Sequence, residues 1–347
     1  AIAGQVSDRF SKTTVIRWVK AAEIVGMAMA AVGFVLAALG EPLYGALALL
    51  GLVFFMGLQS AFFGPSKYAI LPELLEDQGE LVSGNALIEL GTYFSVLGGI
   101  ALATLLIQLP GGLWMFAAAV VLFALAGFVI ARFIPDLAPA QPDLRVAREP
   151  FTSTWDAARI LFRDTDVLQS VLGISWFWAL GGAVLVLFST YSESVLHGDP
   201  TVYGVLTGLF AIGIGAGSLL CEKLSFGRLE IGLVPFGSAG LFLGLLGLFL
   251  LGEPWPAPAD GVALGIGDLA VRPGFWGLVV LILVMSGAGG LFMVPLYTLV
   301  QDRADPGERS RVIGANNIAN SFFILLLSGG LIVFSQLGLT EPQVFGV

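Results

Sequence analysis

The chain has one cysteine, one histidine and little charge. Only 16 of its 347 residues are Lys or Arg and 25 are Asp or Glu. A lone Cys221 forms no internal disulfide, so no disulfide framework holds this fold. His197 stands alone in an acidic loop, a poor place for a proton relay, and no cluster of His, Cys, Asp or Glu has metal-ligand spacing. No nucleophile triad or phosphate-cradling glycine loop stands out. Neither a cofactor nor catalysis by this chain is therefore expected. The net charge of −9 argues against nucleic acid as a partner. No apolar stretch following cations marks a cleavable signal peptide.

Apolar side chains are what the sequence has in abundance. The chain is 57% hydrophobic, with mean hydropathy +0.91, which excludes a soluble globule. Runs of about 20 apolar residues recur, each long enough to cross a hydrocarbon core as a helix. The runs are continuous rather than alternating, so a barrel is excluded. Lipid offers no hydrogen bonds to the backbone, so the runs must be helices. Nine spans are predicted, near 21–39, 43–62, 82–107, 113–133, 167–189, 202–220, 231–251, 276–299 and 312–337.

Cations orient the spans. Every Lys and Arg except Arg272, including Arg132 and Arg148, falls on one side of the alternating spans, which makes that side cytoplasmic. The opposite loops carry acids: Glu41, Glu193, Asp199, Glu253, Asp260 and Asp268.

The chain also repeats itself. Residues from Ala3 to Lys12 read as a tight polar loop between two membrane helices. Its acid-base pair, Asp8-Arg9, returns about 214 residues later as Glu222-Lys223, each followed by a serine two positions on. Phe62-Phe63-Gly64-Pro65 returns as Phe292-Met293-Val294-Pro295, and Asn85 as Asn316. Two structural halves follow, with the chain beginning inside the first. The expected boundaries are 1–133 for the N-terminal half, 134–165 for a cytoplasmic linker and 166–347 for the C-terminal half. The prolines of the linker's first part make it extended. Its second part places Trp155, Ala158, Leu161 and Phe162 among Asp156, Arg159 and Arg163, a pattern that suits an interfacial helix or a solvated linker helix.

These residues resemble the major facilitator superfamily. Its signature between helices 2 and 3, G-x-x-x-D-R-x-G-R, is matched by Gly4, Asp8 and Arg9, with Ser11 in place of the later glycine and Lys12 as the basic position after it. The resemblance implies an all-α integral membrane protein of two parallel six-helix halves, with the substrate site between them. The nine spans are then helices 3 to 11, and helices 1, 12 and most of 2 are absent. In the family the acid latches the halves by contacting neighbouring cations and the N-terminus of helix 11, whose partial positive charge attracts it. Gly4, Asp8, Arg9, Glu222 and Lys223 are accordingly the gating candidates.

Phe62 through Pro72 is similar to the helix 4–5 signature of the bacterial lysophospholipid transporter family. Gly217 through Lys223, continuing at Glu230 through Gly237, is similar to a fused version that carries an acyltransferase and an acyl-carrier-protein ligase downstream. The resemblance implies a multi-pass inner-membrane protein whose partners are a lysophospholipid, membrane lipids and a fused or associated acyltransferase.

The candidate substrate residues are Glu89, Lys67, Asn85, Tyr68, Gln59 and Trp178. Glu89 lies inside an apolar span, where an unpaired charge costs on the order of 2–3 kcal/mol or more. It is expected to face the bundle interior as a ligand, a proton carrier or an interhelical partner. Asn85 sits one turn before it on the same face. Lys67 and Tyr68 follow the Gly64-Pro65 break, and Lys67 suits a phosphate as well as it suits the cytoplasmic side. Gln59 and Trp178 lie on spans that line the family's cavity. Glu23 is read as a pairing partner for Lys20 or the loop. Three functions stay open: lysophospholipid transport by alternating access for reacylation, proton-coupled drug efflux, and membrane anchoring of a fused acyltransferase.

Overall fold

A computed structural model describes residues 1–75, 77–107, 109–147, 149–252, 255–258 and 261–347. Arg148, Glu253 and Asp260, placed in loops above, lie outside the described residues. The helices are α1 (Ile2–Arg9), α2 (Lys12–Ala38), α3 (Pro42–Ala69), α4 (Leu71–Leu74), α5 (Gln78–Ile107), α6 (Gly112–Ala131) and α7 (Pro150–Leu161). There follow α8 (Thr165–Ser194), α9 (Pro200–Leu224), α10 (Leu233–Leu250), α11 (Ile266–Ala270), α12 (Phe275–Arg303), α13 (Arg309–Gln336) and α14 (Glu341–Phe345). Among the described residues the one β feature is an isolated bridge between Gly198 and Leu264.

Nine of the described helices are long and apolar enough to cross a membrane: α2, α3, α5, α6, α8, α9, α10, α12 and α13. Each coincides with a predicted span and runs past it at one or both ends in most cases. Their surfaces are apolar too: Phe54, Val53 and Leu50 stand exposed along α3, and Leu325 and Leu326 along α13. Such faces suit hydrocarbon rather than water.

Two expectations change. The segment from Ala3 to Lys12 is not a loop, because Ile2–Arg9 is helical. The polar side chains of Gln5, Ser7 and Asp8 are buried there, and each finds a partner, so burial does not force the backbone out of a helix. The Gly64-Pro65 pair also does not break its helix. Pro65 lies inside α3, which continues to Ala69. Proline removes one hydrogen bond a turn upstream, and the Ser66 hydroxyl donates to the Phe62 carbonyl in that same turn. Lys67 and Tyr68 therefore occupy the last turn of α3 rather than a connection after it.

The chain packs as two compact units. One comprises Ala1–Leu75, Gly99–Leu168 and Val300–Ile318, the other Glu76–Gly98, Gln169–Leu299 and Ala319–Val347. In the first unit Ile16, Ile70 and Ala131 form a buried cluster with Phe63, Ile134 and Leu137 against it. In the second, Val82, Ala86, Cys221 and Val294 do the same with Leu233 and Leu291. Small residues bring α9 and α12 together there. A Cβ added at Gly217 would collide with the Gly287 carbonyl, and one at Gly290 with the Ser218 amide. Close backbone approach of this kind replaces the hydrophobic drive that lipid-bathed helices lack.

Candidate functional site

The second unit holds a polar group within the spans. Glu89 is buried in α5, roughly 17 Å along that helix at about 1.5 Å per residue. One turn on, Tyr93 lies close enough to feel both the Glu89 carboxylate and the Tyr297 hydroxyl of α12 electrostatically. The Trp178 indole of α8 donates to the Tyr297 hydroxyl at 3.0 Å. One turn before Glu89, the Asn85 amide donates to the Thr298 hydroxyl of α12 at 3.2 Å and to the Leu81 carbonyl at 3.1 Å. The Ser175 hydroxyl of α8 donates to Asn320 of α13 at 2.8 Å.

This constellation combines one carboxylate with neutral donors inside an apolar bundle. Such a set suits a small cationic or hydrogen-bonding group better than an anion. Sequence reasoning named Glu89, Asn85 and Trp178, and the structure brings them to one unit. Tyr93 and Thr298 were not singled out. Their signal is helical spacing, since residues four apart share a face.

The other three substrate candidates lie in the first unit. The Gln59 amide donates to Glu23 at 3.3 Å, and Glu23 pairs with Lys20 at 2.7 Å. Lys20 also stands over the Phe63 ring, 5.0 Å from its centroid. Glu23 thus pairs with Lys20 as expected, and Gln59 completes that pair rather than standing alone. Lys67 is half-buried, with its ammonium 5.1 Å from the Tyr68 ring centroid. The Tyr68 carbonyl accepts from Gln301 at 3.0 Å.

The gating candidates are placed differently from one another. Gly4 packs directly on the first turn of α13. A Cβ there would stand 2.5 Å from the Ser310 carbonyl oxygen and 2.8 Å from the Arg311 Cα. That contact lets the fully buried Asp8 carboxylate accept from the Ser310 amide at 3.1 Å and from the Arg311 guanidinium at 3.1 Å. Burial raises the Asp8 pKa above the usual carboxylate value, and the Ser310 bond, Lys12 and Arg311 oppose that rise. In the second unit Glu222 accepts from the Ser83 hydroxyl of α5 at 2.7 Å. Arg9 and Lys223 point outward and are exposed.

The resemblance implied cations beside the Asp8 contact, but Arg311 was not named among the site residues. Its signal is a pair of cations, Arg309 and Arg311, in the first turn of a helix. The helix dipole disfavours cations there unless an anion compensates.

Residues 1–328 match the family model described as Major Facilitator Superfamily. A curated relative, "Lysophospholipid transporter LplT" of Enterobacter sp. (strain 638), is 29% identical over 338 residues, covering 94% of this chain and 73% of the relative. Among solved structures, a bacterial homologue of the iron transporter ferroportin in an outward-facing state superposes with TM-score 0.67 at 18% identity, over 98% of this chain and 80% of that one. The proton:xylose symporter XylE superposes with TM-score 0.70 at 14% identity, over 99% of this chain and 78% of that one. At those identities the structural likenesses establish the fold.

Proposed function

The chain belongs to the major facilitator superfamily, and we propose that it carries lysophosphatidylethanolamine across a bacterial inner membrane by alternating access. It is a multi-pass membrane protein, with nine described helices fit to span. Its curated relatives are named as lysophospholipid transporters. In this reading the halves are residues 1–133 and 166–347, and the 134–165 linker lies in the cytoplasm.

The observation that carries the head-group assignment is Glu89. It is 1% exposed, deep in a span, and within electrostatic reach of Tyr93 one turn on. A primary ammonium suits that set: it supplies the opposite charge and up to three donors. The apolar helices receive the acyl chain. Asp8, with Gly4 and Arg311, latches the cytoplasmic side, and Glu222 with Ser83 forms the corresponding contact of the second repeat. A downstream or associated acyltransferase consumes the cargo.

The test is uptake of labelled lysophosphatidylethanolamine by cells expressing the full protein. Uptake above an empty vector is expected. None above it, with the protein present in the membrane, rejects the proposal. The buried carboxylate also fits a second reading, in which Glu89 carries a proton during efflux of apolar drugs. Drug extrusion that follows the pH gradient, without lysophospholipid uptake, selects that reading.

A further inference from the structure

The connection between the repeats is bonded to both sides of the Asp8 contact. The backbone amide of Gln141 donates to the Asp8 carbonyl at 2.8 Å. The Gln141 side-chain oxygen accepts from the Arg311 guanidinium at 3.1 Å, the same guanidinium that reaches the Asp8 carboxylate. Asp8, Arg311 and Gln141 therefore close a ring of three hydrogen bonds. Gly307 makes room for it, since a Cβ there would stand 2.7 Å from the Gln141 side-chain nitrogen.

Other described residues of the connection are bonded as well. Gln5 of α1 accepts from the Ala147 amide at 2.7 Å and donates to the Ser153 hydroxyl at 2.9 Å. Arg163 pairs with Glu308 at 2.8 Å, next to the start of α13. Thr13 donates to the Pro135 carbonyl at 2.7 Å, and Arg17 donates to the Ile134 carbonyl and pairs with Asp136, each at 2.7 Å. A solvated tether between two halves needs none of these bonds. Fixing an extended segment costs backbone entropy of about 1–2 kcal/mol per residue, so its order must be held by specific partners.

We propose that the connecting segment is a third component of the Asp8 latch, with Gln141 as the positioning residue that couples it to Arg311. When the latch opens, the ring breaks as a unit and the segment must let go of one side. Gln141 thus sets how readily the carrier leaves the latched state, without touching cargo. This rests on the reading of Asp8 as a latch, and the experiment below separates the two.

The experiment uses the full chain with Cys221, which is fully buried, replaced by alanine. A reporter cysteine replaces Ala315, which is 6% exposed in the latched state. Its rate of modification by a water-soluble maleimide reads the open fraction directly, whatever the cargo. Gln141→Ala and Gly307→Ala, the second leaving every charge in place, are each expected to speed labelling about tenfold, the usual scale of one hydrogen bond to a charged group. Gln141→Glu keeps an acceptor for Arg311 and is expected to label no faster than the parent. The double variant Gln141→Ala with Arg311→Ala is expected to match Arg311→Ala alone, because members of one network are not additive. Labelling at the parental rate in both Gln141→Ala and Gly307→Ala, with Arg311→Ala faster, overturns the role of Gln141 and leaves the latch standing. A parental rate in Arg311→Ala as well overturns the latch and this proposal with it.

Discussion

Replacing Gly4 by alanine is the sharpest test of the Asp8 contact. The added methyl meets the Ser310 carbonyl oxygen at 2.5 Å and the Arg311 Cα at 2.8 Å. Both are backbone atoms of α13, so no side-chain rotation relieves the clash. Ordinary contact needs α1 to retreat by about 1 Å. The Ser310 amide already lies 3.1 Å from the Asp8 carboxylate, so a retreat of that size takes it out of hydrogen-bond range. Overpacking costs about 1–3 kcal/mol, and losing a bond to a buried charge adds at least about 1 kcal/mol. A total of about 2–4 kcal/mol moves the open-to-latched ratio by roughly 30-fold to several hundred-fold. Relaxation of α1, an eight-residue helix, draws the effect toward the lower figure. Maleimide labelling of a cysteine at Ala315 reads the shift, and uptake in the same cells is expected to fall as the latched state is depleted. A Gly4→Ala protein that labels at the parental rate refutes the packing argument.

Glu89→Gln keeps the shape and removes the charge. Lysophosphatidylethanolamine uptake is expected to fall at least about tenfold, since an ion pair in a desolvated site becomes a neutral hydrogen bond; unchanged uptake shows that the carboxylate does not hold the cargo. Asp8 gives a pH prediction with a definite sign. Burial raises its pKa in the latched state, so that state binds the proton more tightly than a solvated open state does. Latching is therefore favoured as pH falls through the raised pKa and opposed above it. Reporter labelling, taken at each pH relative to the Asp8→Asn protein so that the maleimide's own dependence on thiolate cancels, is expected to slow on acidification through that range; a ratio that rises in acid contradicts the burial argument.

Much of the fold was legible because lipid leaves a chain few choices. Nine apolar runs had to be helices, and nine described helices of that kind are present. Where polar residues had to be placed, sequence reasoning did less well. Gln5, Ser7 and Asp8 look like a loop when read by polarity, yet each is buried in a helix against a partner distant in sequence. Pro65 looks like a break, but near a helix end it removes one bond in a turn where Ser66 supplies another. Of the candidate site, Asn85 and Glu89 were recoverable from their spacing on one span. The Trp178–Tyr297 bond joins residues 119 positions apart, and no local pattern encodes such a pair. Gln141 was invisible for a related reason: among the prolines of a linker its composition says extended chain, and only the position of Arg311 gives it a role.

The repeat makes the Asp8 and Glu222 contacts comparable. The copy kept the acid, as Asp8 and Glu222, and kept an exposed cation after it, as Arg9 and Lys223. It did not keep the receiver. Asp8 meets a backbone amide and a guanidinium in the first turn of α13. Glu222 meets one hydroxyl, that of Ser83, and the first turn of α5 carries an acid, Glu80, where that of α13 carries Arg309 and Arg311. Two cations at a helix N-terminus oppose its dipole, and at the start of α13 Asp8 shares their compensation with Glu308, which lies 3.5 Å from Arg311. The Asp8 contact therefore gains from amide and guanidinium against the cost of its burial, and among the described residues Glu222 gains from the Ser83 hydroxyl. A neutral hydrogen bond contributes about half of what a charge-assisted one does. If Asp8 acts as the proposed latch, its contact, to which the connecting segment is bonded, is expected to limit opening rather than that of Glu222.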